Sequence, residues 1–402
     1  MKPEAPPLAD EPPHPSIAPA CPLLRFLGLN ALAGISVGVA KVILSLYALA
    51  LQADAWQLGL IAAAQSLDIL LMSVPAGVLV DRYGPLPLFS IGTLCSGLLY
   101  LLLPWVGSAA VLCLVILLIS CFMPLRIVAL SAMFMQQIGR VGVGMAGWFR
   151  ATHMLGMMLV GPLLAAWMLG HIGFAGAYVA IAGSFLILVI IAPPVLRHYQ
   201  RSAEPARRLH LGEVKTLFAL PTRDRQLGVA CLREFLIQAA NQYYTFFIVV
   251  IAAQRFGFEP ASAAGLISVQ GVSFILALMA LGGVAARVPE RLFLRAGCAI
   301  AAGALALLGA ASQAWPLWLG GAALGLGLGM LQIVNITWLA KVGNVHGQGR
   351  IAGLTTFIGP AGGLVGSLMG GASGQWLGLQ GVFYLLAMAF SLLWVTTLSP
   401  KA

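Results

Sequence analysis

Six ionisable residues of this sequence stand inside long apolar stretches or at their ends: Lys41, Asp68, Arg126, His153, Arg233 and Glu234. A charged side chain in membrane hydrocarbon costs at least about 2.5 kcal/mol, so it is retained where it has a partner or a function. A carboxylate or an imidazole in such surroundings can bind and release a proton, which makes Asp68, Glu234 and His153 candidate proton carriers. The alternatives are that His153 only forms a helix-end hydrogen bond and that Arg233 reaches the membrane surface with its long side chain.

Two cations are placed to act as partners of the acids. Lys41 and Asp68 lie about ten and about twelve residues from the same end of their stretches, which at ~1.5 Å per residue gives them similar depth. Arg126 and Glu234 lie at comparable depths from the opposite end. We expect Lys41 and Arg126 to hold the two carboxylates ionised when no proton is bound.

Uncharged polar side chains in the same stretches form a candidate substrate cavity, together with Arg126: Asn30, Gln65, Gln238, Asn241, Gln242, Gln332 and Asn335. Gln238, Asn241 and Gln242 recur at a spacing that puts them on one helical face. Gln332 and Asn335 do the same in a later stretch. The alternative is that these amides only link helices, where such a hydrogen bond is worth ~0.6 kcal/mol on average.

The composition shows what must position these residues. Hydrophobic residues make up 60% of the chain, charged residues only 8%, and the mean hydropathy is +0.96, whereas soluble domains carry about 25% charged residues. The apolar stretches are continuous rather than alternating, which favours membrane helices over a barrel. One crossing takes about 20 residues, so the lipid bilayer is the solvent and about twelve crossings fit.

We predict twelve spans, at about 26–50, 57–80, 86–106, 109–135, 146–169, 174–196, 227–252, 261–281, 290–311, 315–338, 350–372 and 377–398. The long basic gap between the sixth and seventh spans divides the chain into two halves. The predicted domains are a disordered tail (1–24), a six-helix bundle (25–196), a linker with a short amphipathic helix (197–226), a second six-helix bundle (227–398) and a short tail (399–402).

The basic residues indicate the orientation. All but four of the 22 lysines and arginines fall on the tails, on the loops of one face or on the helix ends beside them, the four being Lys41, Arg126, Arg233 and Arg255. By the positive-inside rule that face is cytoplasmic, so both termini lie inside and the expected location is a bacterial inner membrane. The net charge of +10 is therefore a topology signal, and we expect no nucleic-acid partner.

The two halves repeat weakly. A Gly-x-x-Arg segment opens the fifth span at 147–150 and the eleventh at 347–350. Each is followed by a Gly-Pro pair inside the span, Gly161-Pro162 and Gly359-Pro360. Two features at corresponding places in each half indicate duplicated six-span units, with these pairs as hinge or packing positions.

The loop between the second and third spans reads Gly77-x-x-x-Asp81-Arg82-x-Gly84. It resembles the signature loop of the major facilitator superfamily. The resemblance implies two pseudo-symmetric six-helix bundles in which spans 1, 4, 7 and 10 line a central cavity. It also implies that Gly77 allows close packing, that Asp81 caps or pairs at a helix end in one state, and that Arg82 contacts the neighbouring hairpin.

The fifth span resembles an element of proton-coupled drug antiporters in that superfamily, Gly-Pro-x-x-Gly-Gly. Gly161-Pro162 matches its start, but Ala165 and Ala166 stand where the element has glycines. The resemblance implies a hinge that favours export. Generic packing of small residues is the alternative.

No catalytic or nucleotide-binding motif is present, and the six cysteines form no Cys-x-x-Cys pair. We therefore expect no enzyme activity, cofactor or metal site. The sequence predicts a monomeric secondary transporter that moves a small organic molecule by alternating access, with proton-coupled export favoured. Proton-coupled uptake of an organic acid, nutrient or metal chelate is the alternative, and a non-transporting membrane sensor or scaffold is the remote one.

Overall fold

The computed structural model describes residues 20–141, 151–196, 221, 224–285, 287–346 and 348–397. Throughout these ranges the regular structure is helical. The predicted tail before residue 20, the linker helix within 197–220 and the residues after 397 lie outside the described part. Their boundaries stay predictions.

Twelve long helices can be numbered in chain order. They are α1 (Ala20–Ala50), α2 (Ala55–Tyr83), α3 (Pro85–Leu102), α4 (Ala109–Val141), α5 (151–172), α6 (174–196), α7 (Arg225–Phe256), α8 (Pro260–Ala280), α9 (Glu290–Ala310), α10 (Trp315–His346), α11 (348–377) and α12 (379–396). Single helical turns at Leu103–Trp105 and Gly282–Ala285 follow α3 and α8.

Two glycines divide the two longest helical segments of the described chain. The described residues contain ten apolar helical segments able to cross a membrane, and two of them run for 44 and 43 residues. At ~1.5 Å per residue either would exceed 60 Å, about twice the hydrocarbon thickness. Gly173 (φ 63°) and Gly378 (φ 72°) interrupt them in left-handed conformations that glycine adopts at little cost. The ten segments thus comprise twelve helices, and the predicted all-α membrane fold is confirmed.

Short polar loops explain the sharp reversals. Asp54 caps α2: its carboxylate accepts the Gln57 backbone N–H at 2.7 Å, while the Asp54 N–H donates to the Gln57 side chain at 3.1 Å. In the signature loop, Gly84 ends α2 with a φ of 89°, and Pro85 is the first residue of α3. A proline there loses no hydrogen bond, because the first N–H groups of a helix are unpaired anyway.

Exposed tryptophans mark one end of the bundle. Trp105, Trp167, Trp315 and Trp376 are all more than half exposed, and they lie beside the α3–α4, α5–α6, α9–α10 and α11–α12 turns. Tryptophan is enriched where a membrane meets water. All four turns follow an odd-numbered helix, so in a chain of successive membrane crossings they lie at the same membrane surface, the one predicted to face outward.

The orientation can be tested with introduced thiols. In a chain whose native cysteines are replaced, a cysteine beside Arg208 should react with a membrane-impermeant maleimide only from the cytoplasmic side. A cysteine beside Arg255, in the α7–α8 turn, should react only from the other side, because the basic residues cluster on one face. Labelling of both from one side would contradict the predicted topology.

Candidate functional site

The polar centre of the described structure is the carboxylate of Glu234 on α7. Asp224 begins α7 by accepting the backbone N–H groups of Gln226 and Leu227 at 2.9 and 3.2 Å. Glu234 follows ten residues after Asp224, ~15 Å along the helix. Only 7% of this residue is exposed, so its carboxylate is held inside the protein.

Three amides surround this carboxylate. The Gln238 side chain, one turn along α7, donates to Oε1 at 3.0 Å. From α10, Gln332 and Asn335 donate to Oε2 at 3.2 and 2.7 Å. The contacts that the structure gives Glu234 are therefore neutral amides, all from the second half of the chain.

Arg126 on α4, the expected partner of Glu234, is not among these contacts. Its guanidinium lies over the ring of Phe185 on α6, 5.0 Å from the centroid, and the residue is almost fully buried. The contact of Arg126 with Phe185 is a cation–π interaction within the first half of the chain. Phe185 is one of many apolar residues in its stretch, so nothing in the sequence predicted it as a partner of Arg126.

Helix α11 reaches the carboxylate through its glycines. A Cβ on Gly359 would lie 3.8 Å from Oε1 of Glu234 and 3.5 Å from Cγ of Gln238. At Gly362 there is no room for a side chain, because a Cβ would collide with the Phe235 carbonyl of α7. Gly359, predicted as a hinge or packing position, thus lies at the site itself.

Two buried acceptors beside Glu234 are unused. Among the described residues, Oε1 of Gln332 and Oδ1 of Asn335 have no hydrogen-bond partner, although these residues are 5% and 0% exposed. A buried, unsatisfied carbonyl costs about 1–3 kcal/mol, so its persistence needs an explanation. An added proton donor at this cluster would supply the missing hydrogen bond.

The other amides of α7 contact different helices. Asn241 accepts from Gln270 of α8 at 3.1 Å. Half-buried Gln242 lies beside Gly363 of α11, whose Cβ would be 3.5 Å from Cγ of Gln242. Gln65 on α2 has a buried amide nitrogen to which the described part of the chain gives no hydrogen-bond partner. The side chains of Gln238, Asn241 and Gln242, predicted to share one face of α7, therefore have different neighbours: Glu234 on α7 itself, α8 and α11.

In the first half, Asn30 and His153 link α1 to α5. Asn30 donates to the Thr152 hydroxyl at 3.0 Å, and Nδ1 of His153 lies 3.4 Å from the Asn30 carbonyl oxygen. This contact is open to both predicted roles of His153, so its role as a proton carrier stays a prediction. Thr152 precedes His153 in the chain, and its hydrogen bond with Asn30 was not predicted from the sequence.

The two halves touch along α2 and α11. A Cβ on Gly59 would lie 2.5 Å from the Cα of Gly371, and one on Gly363 would lie 3.0 Å from the Ser66 hydroxyl. Gly59 is near the start of α2 and Gly371 near the end of α11. The backbones therefore meet near the membrane surface that carries the tryptophans, and the two halves are in direct contact there.

A second contact between the halves joins α5 and α8, where a Cβ on Gly271 would lie 2.5 Å from Cβ of Met158. Beside it is a small cavity of about 10 Å³ between α1, α5, α7 and α8, and Lys41, Asn241 and Thr245 are its polar lining. Lys41 of the first half thus faces the polar stripe of α7.

Pro162 widens one turn of α5. Residues Gly156–Val160 form a π-helical turn in which the Gly161 N–H donates to the Gly156 carbonyl. A proline lacks an N–H and its ring clashes with the carbonyl four residues back, so a wider turn is the expected relief. Gly161 packs tightly there, since its Cβ would lie 2.7 Å from the Cα of Gly38 on α1.

Pro162→Ala tests the hinge prediction. Alanine favours a helix interior by about 3 kcal/mol over proline, so the wide turn should close and α5 should stiffen. We expect slower transport with an unchanged or higher unfolding temperature, measured on purified protein and in proteoliposomes. Pro75→Ala, an exposed proline inside α2, is the control, and equal transport rates for Pro162→Ala and the wild type would contradict the hinge.

Several predicted site residues fall outside these contacts. The side chains of Asp68 and Asp81 lie outside the described residues, so their roles stay predictions. Gly77 has open space around it, and exposed Arg82 lies over the Tyr83 ring at 5.3 Å. Within the described residues, no group of three or more histidine, cysteine or acidic side chains could hold a metal.

Comparison with known proteins identifies a family and a fold that this chain shares. The family model described as Major Facilitator Superfamily matches residues 26–359. The crystal structure of the nucleoside transporter NupG superposes with a TM-score of 0.76 at 14% identity, over 94% of this chain and 98% of that one. A point mutant of NupG gives 0.75 at 16% identity, over 94% and 99%. At these identities the likeness shows the fold alone, and no curated protein matches the sequence.

Proposed function

The chain belongs to the major facilitator superfamily, and from this premise we propose that it moves a small organic molecule across a membrane by alternating access, driven by protons through Glu234. The observation that carries the proton coupling is a buried carboxylate whose contacts are neutral amides. Amides can donate to an ionised carboxylate and accept from a protonated one, so this cluster offers hydrogen bonds to both forms of Glu234 and makes it our candidate proton carrier.

The amides suit both protonation states of Glu234. The ionised carboxylate accepts three hydrogen bonds, as in the structure. A protonated Glu234 would instead donate one, and the unused Oε1 of Gln332 or Oδ1 of Asn335 could accept it after the amide turns over. Proton binding would thus change the contacts between α7 and α10 rather than break the cluster.

Alternating access requires that the halves open and close. The contacts of Gly59 with Gly371 and of Gly271 with Met158 support a state that is closed near the tryptophan-bearing surface. Glycines let the backbones of the two halves approach closely at these points. A change in the α7–α10 hydrogen bonds could then shift the balance between the two states, as a small differential energy is enough.

The substrate class follows from the cavity residues. Asn241, Gln242 and Gln65 present amides near the contacts between the halves, and amides suit neutral polar groups with both donors and acceptors. The fold is shared with a nucleoside transporter, which makes nucleosides reasonable first compounds to test. Export remains the favoured direction because of the Gly161-Pro162 element, with uptake as the alternative.

The deciding experiment uses proteoliposomes. Labelled nucleosides and amphipathic amines are first screened by counterflow, which needs no gradient. Active compounds are then tested with a pH gradient imposed in each direction. Substrate movement opposite to the proton flow would indicate antiport, and movement in the same direction would indicate symport. Accumulation of substrate that does not depend on the pH gradient would contradict proton coupling.

A further inference from the structure

A groove lies between α1 and α6, away from the Glu234 cluster. It holds about 370 Å³ and is lined by Arg25, Gly28, Leu29, Leu32, Ile191 and Pro194. Arg25 is near the start of α1 and Pro194 near the end of α6, so the groove opens at the surface opposite to the exposed tryptophans. We propose that this groove binds one phospholipid, with the phosphate on Arg25 and an acyl chain along the leucines.

The order of side chains along the groove matches a phospholipid. Arg25 lies near the helix end, where the headgroups of a bilayer lie. Leu29 and Leu32 follow about 6 Å and about 10 Å deeper along α1. A charged residue at headgroup level with apolar residues below it reproduces the change from phosphate to hydrocarbon along a lipid molecule.

The rim of the groove is apolar. Leu24 is 72% exposed, Ile190 65% and Ile191 40%. In a membrane-spanning protein, such side chains face hydrocarbon rather than water. The groove is therefore continuous with the lipid-facing surface, and an acyl chain can enter it from the side.

Gly28 leaves the space that the lipid would fill. A Cβ added there meets no atom within 4 Å, so a larger side chain would occupy the groove without straining the helices. This property makes Gly28→Leu a blocking variant that should fold normally. Gly303 on α9 is equally open and exposed, and Gly303→Leu is its matched control.

The charge of Arg25 selects the ligand chemistry. An arginine binds phosphate through paired N–H groups, and a basic residue near an anionic membrane surface contributes about 1 kcal/mol, or about fivefold in affinity. Arg225, an exposed arginine at the start of α7, lies at the same surface outside the groove. Arg225→Gln therefore controls for general attraction of anionic lipid.

Native mass spectrometry of the full-length protein with added phosphatidylglycerol tests the proposal. The wild type should retain one tightly held lipid, Gly28→Leu should lose it, and Arg25→Gln should bind it about fivefold more weakly, while both controls keep it. Phosphatidylcholine should bind more weakly, and glycerol phosphate, which has no acyl chain, should not compete. Equal lipid retention by Gly28→Leu and the wild type would overturn the proposal and indicate that protein residues fill the groove.

Discussion

Glu234→Gln is expected to abolish proton-driven accumulation of substrate while exchange of substrate between the two sides continues. Glutamine has the shape of a protonated glutamate but cannot release a proton. Its amide can still bond with Gln238, Gln332 and Asn335, since each of these groups donates and accepts. The cluster should therefore stay folded, and only the link to the proton gradient should be lost.

Two measurements on the same proteoliposomes separate these effects. Accumulation under a pH gradient should fall to the level of passive equilibration, whereas counterflow should persist and lose its dependence on pH. Glu259→Gln, which changes an exposed acid at the start of α8, should leave both unchanged. If Glu234→Gln accumulates substrate as the wild type does, the driving proton is carried elsewhere, with Asp68 and His153 as the remaining candidates.

The number and type of the helices could be predicted from sequence because hydropathy and length depend on local composition. The positions of Gly173 and Gly378 agree closely with the predicted boundaries between the fifth and sixth and between the eleventh and twelfth spans. Each is a glycine between two apolar runs, so the signal was local. The all-α membrane architecture needed no knowledge of distant contacts.

The partners of Glu234 could be predicted only in part. Its depth in the membrane followed from counting residues, and Arg126 lies at a comparable depth. Which helix a side chain faces depends on how the helices are rotated, and residue counts do not give this angle. Gln332 and Asn335 are 98 and 101 residues away in sequence, so their convergence on one carboxylate became visible only in the folded chain.

Gly359 illustrates a related limit. The repeat with Gly161 predicted the same role for both glycines. In the structure, Gly161 lets α5 pack against α1, whereas Gly359 lets α11 approach the Glu234 carboxylate. Equivalent positions in two repeated halves can thus differ in function, because the neighbouring side chains have diverged.

Gly59→Leu is expected to eliminate transport without unfolding either half. The Cβ alone would lie 2.5 Å from the Cα of Gly371, and the Ser367 carbonyl oxygen is 3.1 Å away. These atoms are backbone and cannot move aside cheaply, so α2 and α11 must separate near the tryptophan-bearing surface. Both neighbours belong to α11 in the other half, which leaves the packing of α2 with α4 intact. The protein should therefore remain folded but be unable to close at this end.

Thiol labelling and transport together test this expectation. Ser367 is fully buried in the structure, so Ser367→Cys, in a chain without native cysteines, should react slowly. Adding Gly59→Leu should accelerate labelling and abolish counterflow while the unfolding temperature stays close to that of the parent chain. Gly170→Leu, at an exposed glycine with open space around it, should change neither property. Because Gly59→Ala adds only the Cβ, it should show a smaller change in the same direction. Normal counterflow in Gly59→Leu would show that the α2–α11 contact does not take part in the transport cycle.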